Sequence, residues 1–125
     1  MRAVSEKISE AELVVMEALW EASPQTANDV ADRVTATRDW SLQTVKTLLS
    51  RLMAKDVIAA DQDGRRFLYR PVIARDDYVA SETGRMVSRL FGGRVSPLVA
   101  QLASQDQLSA EDIAELEEIL KGLKS

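Results

Sequence analysis

Neither cysteine nor histidine occurs anywhere in the 125 residues of this chain. Without Cys there can be no disulfide and no thiolate metal site. Without His the commonest general base and a frequent zinc ligand are missing too. Carboxylate-only catalysis remains possible, but nothing in the chain announces it. The chain is therefore expected not to be an enzyme: no catalytic residues, no metal, no cofactor. Long apolar runs are also lacking, so membrane insertion is not expected. The opening MRAVSEKISE has no apolar segment of the kind that marks a secretion signal. A cytoplasmic protein is the expectation that follows.

Hydrophobic residues make up 46% of the chain, enough for a real core, and the length suits one ordinary domain with a small appendage. The formal charge of -4, taken as a total, argues against a polyanionic partner. Its distribution argues otherwise. Residues 1–37 carry -4 and residues 98–125 carry -4, whereas residues 38–70 carry +3 and residues 71–97 carry +1. Local field, not the total, steers an anionic ligand.

The most informative stretch lies in the basic segment. In WSLQTVKTLLSRLMAK, Trp40 to Lys55, Ser41 is a good helix N-cap. Leu42, Val45, Leu48, Leu49 and Leu52 then recur on one helical face. The other face carries Ser41, Gln43, Thr44, Lys46, Thr47, Ser50 and Arg51 without one carboxylate. A surface of amides, hydroxyls and cations suits phosphates and base edges. The alternative is an ordinary solvated face that happens to lack acids.

Two helices should precede this one. Residues 1–8 are polar and expected to fray. Ser9 and Glu12 form a capping box ahead of ISEAELVVMEALWEA, with Ile8 and Leu13 placed for a hydrophobic staple. Leu13, Met16, Leu19 and Trp20 mark its buried face, with Val15 off that stripe, and Ser23-Pro24 stops it near Ala22. A short second helix, Ala27 to Ala36, opens at the box Thr26 and Asp29 and buries Val30, Ala31 and Val34. Trp40 is read mainly as a core plug between helices. After Lys55, VIAADQDGRRFLYRPV alternates like two short strands, Asp63-Gly64 signals the hairpin turn, Arg65 and Arg66 stand at its tip, and Pro71 ends the ladder.

Three helices and a hairpin in this order predict a winged helix-turn-helix, with the third helix in the major groove and Arg65 and Arg66 on the backbone or in the minor groove. Downstream, Val79, Thr83, Met86, Val87, Leu90 and Phe91 line one side of a helix from Arg75 that Gly92-Gly93 breaks. Ser96-Pro97 starts another, with Leu98, Val99 and Leu102 apolar. Ser109, with Asp112, caps a last helix striped by Ile113, Leu116, Ile119, Leu120 and Leu123. Three short amphipathic helices make too small a core alone, and the last has heptad-like spacing. The expected fold is mainly α with a small β-hairpin wing. Residues 1–73 form a winged helix DNA-binding domain, and residues 74–125 a helical dimerisation domain using Val87, Leu90, Phe91, Leu98, Leu102, Ile113, Leu116, Leu120 and Leu123. A two-fold dimer would read two half-sites ~34 Å or a multiple of that apart.

The residues ISEAELVVMEALW, DWSLQTVKTLLSRLMAKDVI, GRRFLYRPV and LSAEDIAELEEIL resemble the penicillinase-repressor family of bacterial transcription regulators, the BlaI/MecI/CopY type, over nearly the whole chain. The resemblance implies a homodimeric repressor of inverted-repeat operators that controls β-lactamase and related antibiotic-resistance genes. It also implies a membrane sensor protease as partner, cutting the repressor in its C-terminal part. By position the candidate scissile bond is Gln101-Leu102, where the antibiotic-responsive members carry Asn-Phe. The copper-responsive branch uses a Cys-x-Cys motif that this chain lacks. Two other readings stay open: a small-molecule-responsive winged-helix regulator of other genes, with Tyr78, Met86 and Phe91 lining a pocket, and a pure protein-interaction module.

Overall fold

The computed structural model describes residues 7–124. In chain order these form α1 (Glu10–Glu21), α2 (Ala27–Val34), α3 (Leu42–Ala54), β1 (Ile58–Asp63), β2 (Arg66–Pro71), α4 (Arg75–Phe91), α5 (Ser96–Ser104) and α6 (Ala110–Lys124). The chain divides into two compact units, one ending at Ser81 and the other beginning at Glu82.

The first unit is a winged helix-turn-helix. Its helices begin where local chemistry says they should. Ser9 and Glu12 exchange side-chain and backbone hydrogen bonds across the start of α1, and Thr26 and Asp29 do the same for α2. Each box satisfies backbone N–H groups that have no partner within the helix. α2 is shorter than expected and ends at Val34. The core is built by Val15, Met16 and Leu19 of α1, Val30, Ala31 and Val34 of α2, and Val45, Leu48, Leu49 and Leu52 of α3. Each fully buried aliphatic side chain contributes ~1.5–3 kcal/mol of transfer free energy. Ile8 is buried as well, so the fraying expected of residues 1–8 does not reach it; residues 1–6 of that span lie outside the described residues.

Three details differ from the periodicity. Val15 is fully buried, whereas Leu13 and Trp20 are only partly so, because α1 is contacted by α2, α3 and β2 and its buried arc is wider than one stripe. Trp20 instead uses its polar tip: Nε1 donates to the Ile73 carbonyl at 2.9 Å, and its ring lies 5.8 Å from that of Tyr78, which is buried. Leu42, at the first position of α3, is 37% exposed and not part of the buried stripe.

The hairpin pairs Ile58 with Pro71 through Asp63 with Arg66, leaving Gly64 and Arg65 as the two turn residues. Gly64 has φ +66, which suits glycine at the first position of a tight hairpin turn. Arg66, expected at the tip, therefore opens β2. A third stretch joins this sheet: Gln25 and Tyr69 exchange both backbone hydrogen bonds, at 3.0 and 2.7 Å, tying the wing to the turn before α2.

In the second unit α4 ends at Gly92 and Gly93, both at positive φ, and α5 begins at Ser96 with Pro97 in its first turn. Ser109 and Asp112 form the reciprocal cap of α6 at 3.0 and 3.1 Å. α5 and α6 bury no residue.

Among the described residues of the first unit one charged group is buried. Glu12 is 2% exposed, and its carboxylate accepts from Lys55 Nζ at 2.6 Å and from the Ser9 backbone N–H at 2.8 Å. Lys55 Nζ also donates to the Lys7 carbonyl at 2.7 Å, so the pair ties the start of α1 to the end of α3. Burial pushes the Glu12 carboxyl up, but the Lys55 and Ser9 hydrogen bonds together hold it below the ordinary value of 4.5. Lys55→Ala should destabilise the protein in urea unfolding at neutral pH by about 2–3 kcal/mol, less than the ~3–5 kcal/mol of a fully dry pair because solvent reaches the lysine. The lowered carboxyl stabilises fully above pH 4.5, and that contribution fades as pH falls through the folded value. The gap between wild type and Lys55→Ala should therefore narrow in acid; a gap that stays constant would refute this account.

Candidate nucleic-acid interface

α3 is rolled so that its apolar stripe meets α1 and α2 and its other side faces solvent. Ser41, Gln43, Thr44, Lys46, Thr47, Ser50 and Arg51 are all exposed, and no Asp or Glu occurs from Leu42 to Ala54. Ser41 Oγ accepts from the Thr44 backbone N–H at 3.1 Å and lies 3.1 Å from Thr44 Oγ1, so these two hydroxyls are already paired at the helix start. Gln43, Thr47, Lys46 and Arg51 are not so engaged. Among the described residues neither Lys46 nor Arg51 has a carboxylate within ion-pair distance. Their charge is thus directed outward, where a polyanion would meet it.

The two wing arginines differ. Arg65, in the turn, has no ion pair among the described residues. Arg66 is shared with Asp63 through contacts of 2.9 and 3.2 Å across the turn. Both partners are more than half exposed, so the pair is a weak, solvent-screened one that a phosphate can displace. Arg66 also acts at a distance on Asp29: the Thr26 hydrogen bonds, with smaller help from Arg66 and Arg33, hold that carboxyl below its usual range.

Lys46, Arg65 and Arg66 converge on a cleft of about 260 Å³ whose walls also include Thr26 and Asn28 at the start of α2 and Phe67 on the wing. Two stretches far apart in sequence, α3 and the wing, thus present cations to one depression, which the start of α2 also lines. Sequence reasoning missed Asn28 and Phe67, and it missed Gln25, which holds the wing in place. A single-residue bridge has no period, and nothing in Pro24-Gln25-Thr26 announces one. Gln25 is buried, its Nε2 donates to the Ala18 and Ala22 carbonyls, and its Oε1 has no hydrogen-bond partner among the described residues.

Trp40 is half-buried against the core, as a plug would be, with the Arg38 guanidinium 5.9 Å from its ring centre. Tyr78, weighed as the wall of a ligand pocket, is occupied by core packing against Trp20. In the second unit Leu90, Ile113, Leu120 and Leu123 are exposed, at 60%, 46%, 55% and 78%, while Val87, Phe91, Leu98, Leu102 and Leu116 are half-buried. Gln101 and Leu102 lie within α5.

The family model described as penicillinase repressor matches residues 8–122. The penicillinase repressor of Bacillus licheniformis is 35% identical over 119 residues, covering 95% of this chain and 93% of that protein. The methicillin resistance regulatory protein MecI of Mammaliicoccus sciuri is 30% identical over 114 residues, covering 91% of this chain and 93% of its own length. Among solved structures, monomeric Bacillus licheniformis BlaI in complex with the blaP half-operator is 37% identical with a TM-score of 0.53, covering 62% of this chain and 94% of that one. The family match spans both units of the fold and includes the helix and wing just described. The chain belongs to the penicillinase repressor family.

Proposed function

We propose that this chain is a homodimeric transcriptional repressor that acts in the cytoplasm on inverted-repeat operator DNA. One observation carries the reading: the outward face of α3 is free of carboxylates and stands beside the cationic cleft formed with the wing. α3 enters the major groove, where Gln43, Thr44 and Thr47 face base edges, including thymine methyls, and Lys46, Ser50 and Arg51 meet bases or phosphates. Arg65 and Arg66 flank it along the backbone, and Ser41 contributes chiefly by capping α3. The names of the relatives support antibiotic-resistance genes, a β-lactamase among them, as the targets.

The dimer is formed by the tail. Apolar side chains that stay exposed in the protomer on α4 and α6 gain burial only against another surface, and a second copy offers a self-complementary one. For derepression the candidate is a cut at Gln101-Leu102 by a membrane sensor protease. That bond is helical, so a protease must first unwind α5. This helix has nine residues, no side-chain cap hydrogen bond and no buried residue, which keeps unwinding cheap.

Two tests follow. In gel-shift titrations with duplex from upstream of its own gene, Lys46→Ala and Arg51→Ala should leave thermal unfolding unchanged and weaken binding. A lost base contact costs about 1–3 kcal/mol at one operator position, whereas a lost phosphate contact weakens all sequences alike and lowers the salt slope by ~1. Unchanged duplex affinity in both variants would sink the DNA reading. For the tail, Leu120→Glu with Leu123→Glu should shift sedimentation from dimer to monomer and lower operator affinity while leaving the winged unit folded. Sedimentation identical to wild type would remove α6 from the interface.

A further inference from the structure

Phe67 and Tyr69 are two residues apart on β2 and so point to the same face of the hairpin. Their surroundings differ. Tyr69 is half-buried against the core and is bridged to Gln25, while Phe67 is 49% exposed opposite Gln62. A half-exposed aromatic ring offers apolar surface that a bound partner can cover. What surrounds it here is charge of one sign: it walls the cleft to which Lys46, Arg65 and Arg66 contribute, and no acidic residue lines that cleft.

A cationic rim around an aromatic wall has a chemical complement. A nucleic-acid backbone unit has an anionic phosphate at one end and the apolar C–H face of a deoxyribose beside it. A depression of about 260 Å³ has room for one such unit. We propose that the cleft seats a single sugar–phosphate unit of the bound duplex, with the Phe67 ring against the deoxyribose and Lys46 and Arg65 at the phosphate. This deepens the DNA reading above and rests on it. Phe67 thereby adds affinity by burial of apolar surface, a contribution that salt does not screen, next to cations whose contribution salt does screen.

The test uses the full chain and an operator duplex found by footprinting upstream of its own gene. Phe67→Ala, Phe67→Leu and Arg65→Ala are titrated against it over a range of salt concentrations, and deoxyribose protection is mapped by hydroxyl-radical cleavage. Phe67→Ala should weaken binding about five- to tenfold at every salt concentration, with a salt slope parallel to wild type. Phe67→Leu should recover part of the loss, and protection should disappear at one deoxyribose per half-site. Arg65→Ala should flatten the slope instead. Wild-type affinity in Phe67→Ala would overturn the proposal, as would a changed slope, which would mean that the ring only positions its arginine neighbours. A lowered melting temperature or an altered dimer mass in Phe67→Ala would also overturn it, because the ring would then be packed within the protomer or against a second copy. Failure of the wild-type chain to bind any such duplex would remove the DNA reading itself, and is distinguished from these results by the wild-type titration alone.

Discussion

Burial of Val45, Leu48, Leu49 and Leu52 sets the roll of α3 about its own axis, and most of what matters in the first unit depends on that roll. A helix is close to a rigid cylinder, so the four side chains that must leave water also decide which side chains cannot. Here the remainder are hydroxyls, amides and cations. Two local devices keep the cylinder from sliding or turning. Ser41 caps its start, and at its end Lys55 reaches the buried Glu12 and the Lys7 carbonyl. The ion pair joins the first turn of α1 to the C-cap of α3, tying the two helices together at that end of the unit.

The wing is placed by a different kind of interaction. A two-stranded hairpin is barely stable alone in water. The backbone pairing of Gln25 with Tyr69 supplies a third, very short edge, and Val72 N–H donates to the Val57 carbonyl at 2.9 Å where the chain leaves the sheet. Those bonds bring Arg65 and Arg66 alongside Lys46. The outcome is electrostatic: a chain of net charge -4 gathers cations around one cleft while its acidic residues concentrate at the two ends of the sequence. The same logic separates Arg65 from Arg66. A one-residue shift of the turn leaves the first without an ion pair among the described residues and puts the second across from Asp63.

The second unit obeys a simpler constraint. α5 starts with a proline in its first turn and α6 with the Ser109 and Asp112 cap, yet neither helix buries a residue in the protomer. Helices of nine and fifteen residues are marginal in isolation, and apolar side chains such as Ile113, Leu120 and Leu123 stay exposed in the protomer, which is the surface the proposed dimer would use.

The sequence by itself determined where the helices of this protein start, which side of α3 is apolar, and that a hairpin follows. Caps, period and turn residues act over three or four positions, and a single sequence carries that information in full. It determined the family as well, through strings such as DWSLQTVKTLLSRL. Tertiary structure alone decided that Val15 is more deeply buried than Leu13, that Glu12 is a core residue with a lysine partner 43 positions away, that Gln25 anchors the wing, and that Phe67 and Asn28 share a cleft with Lys46. Each of these depends on which elements meet across long stretches of chain. Such encounters have no period, and the residues involved look locally like ordinary polar or surface positions until the packing brings them together.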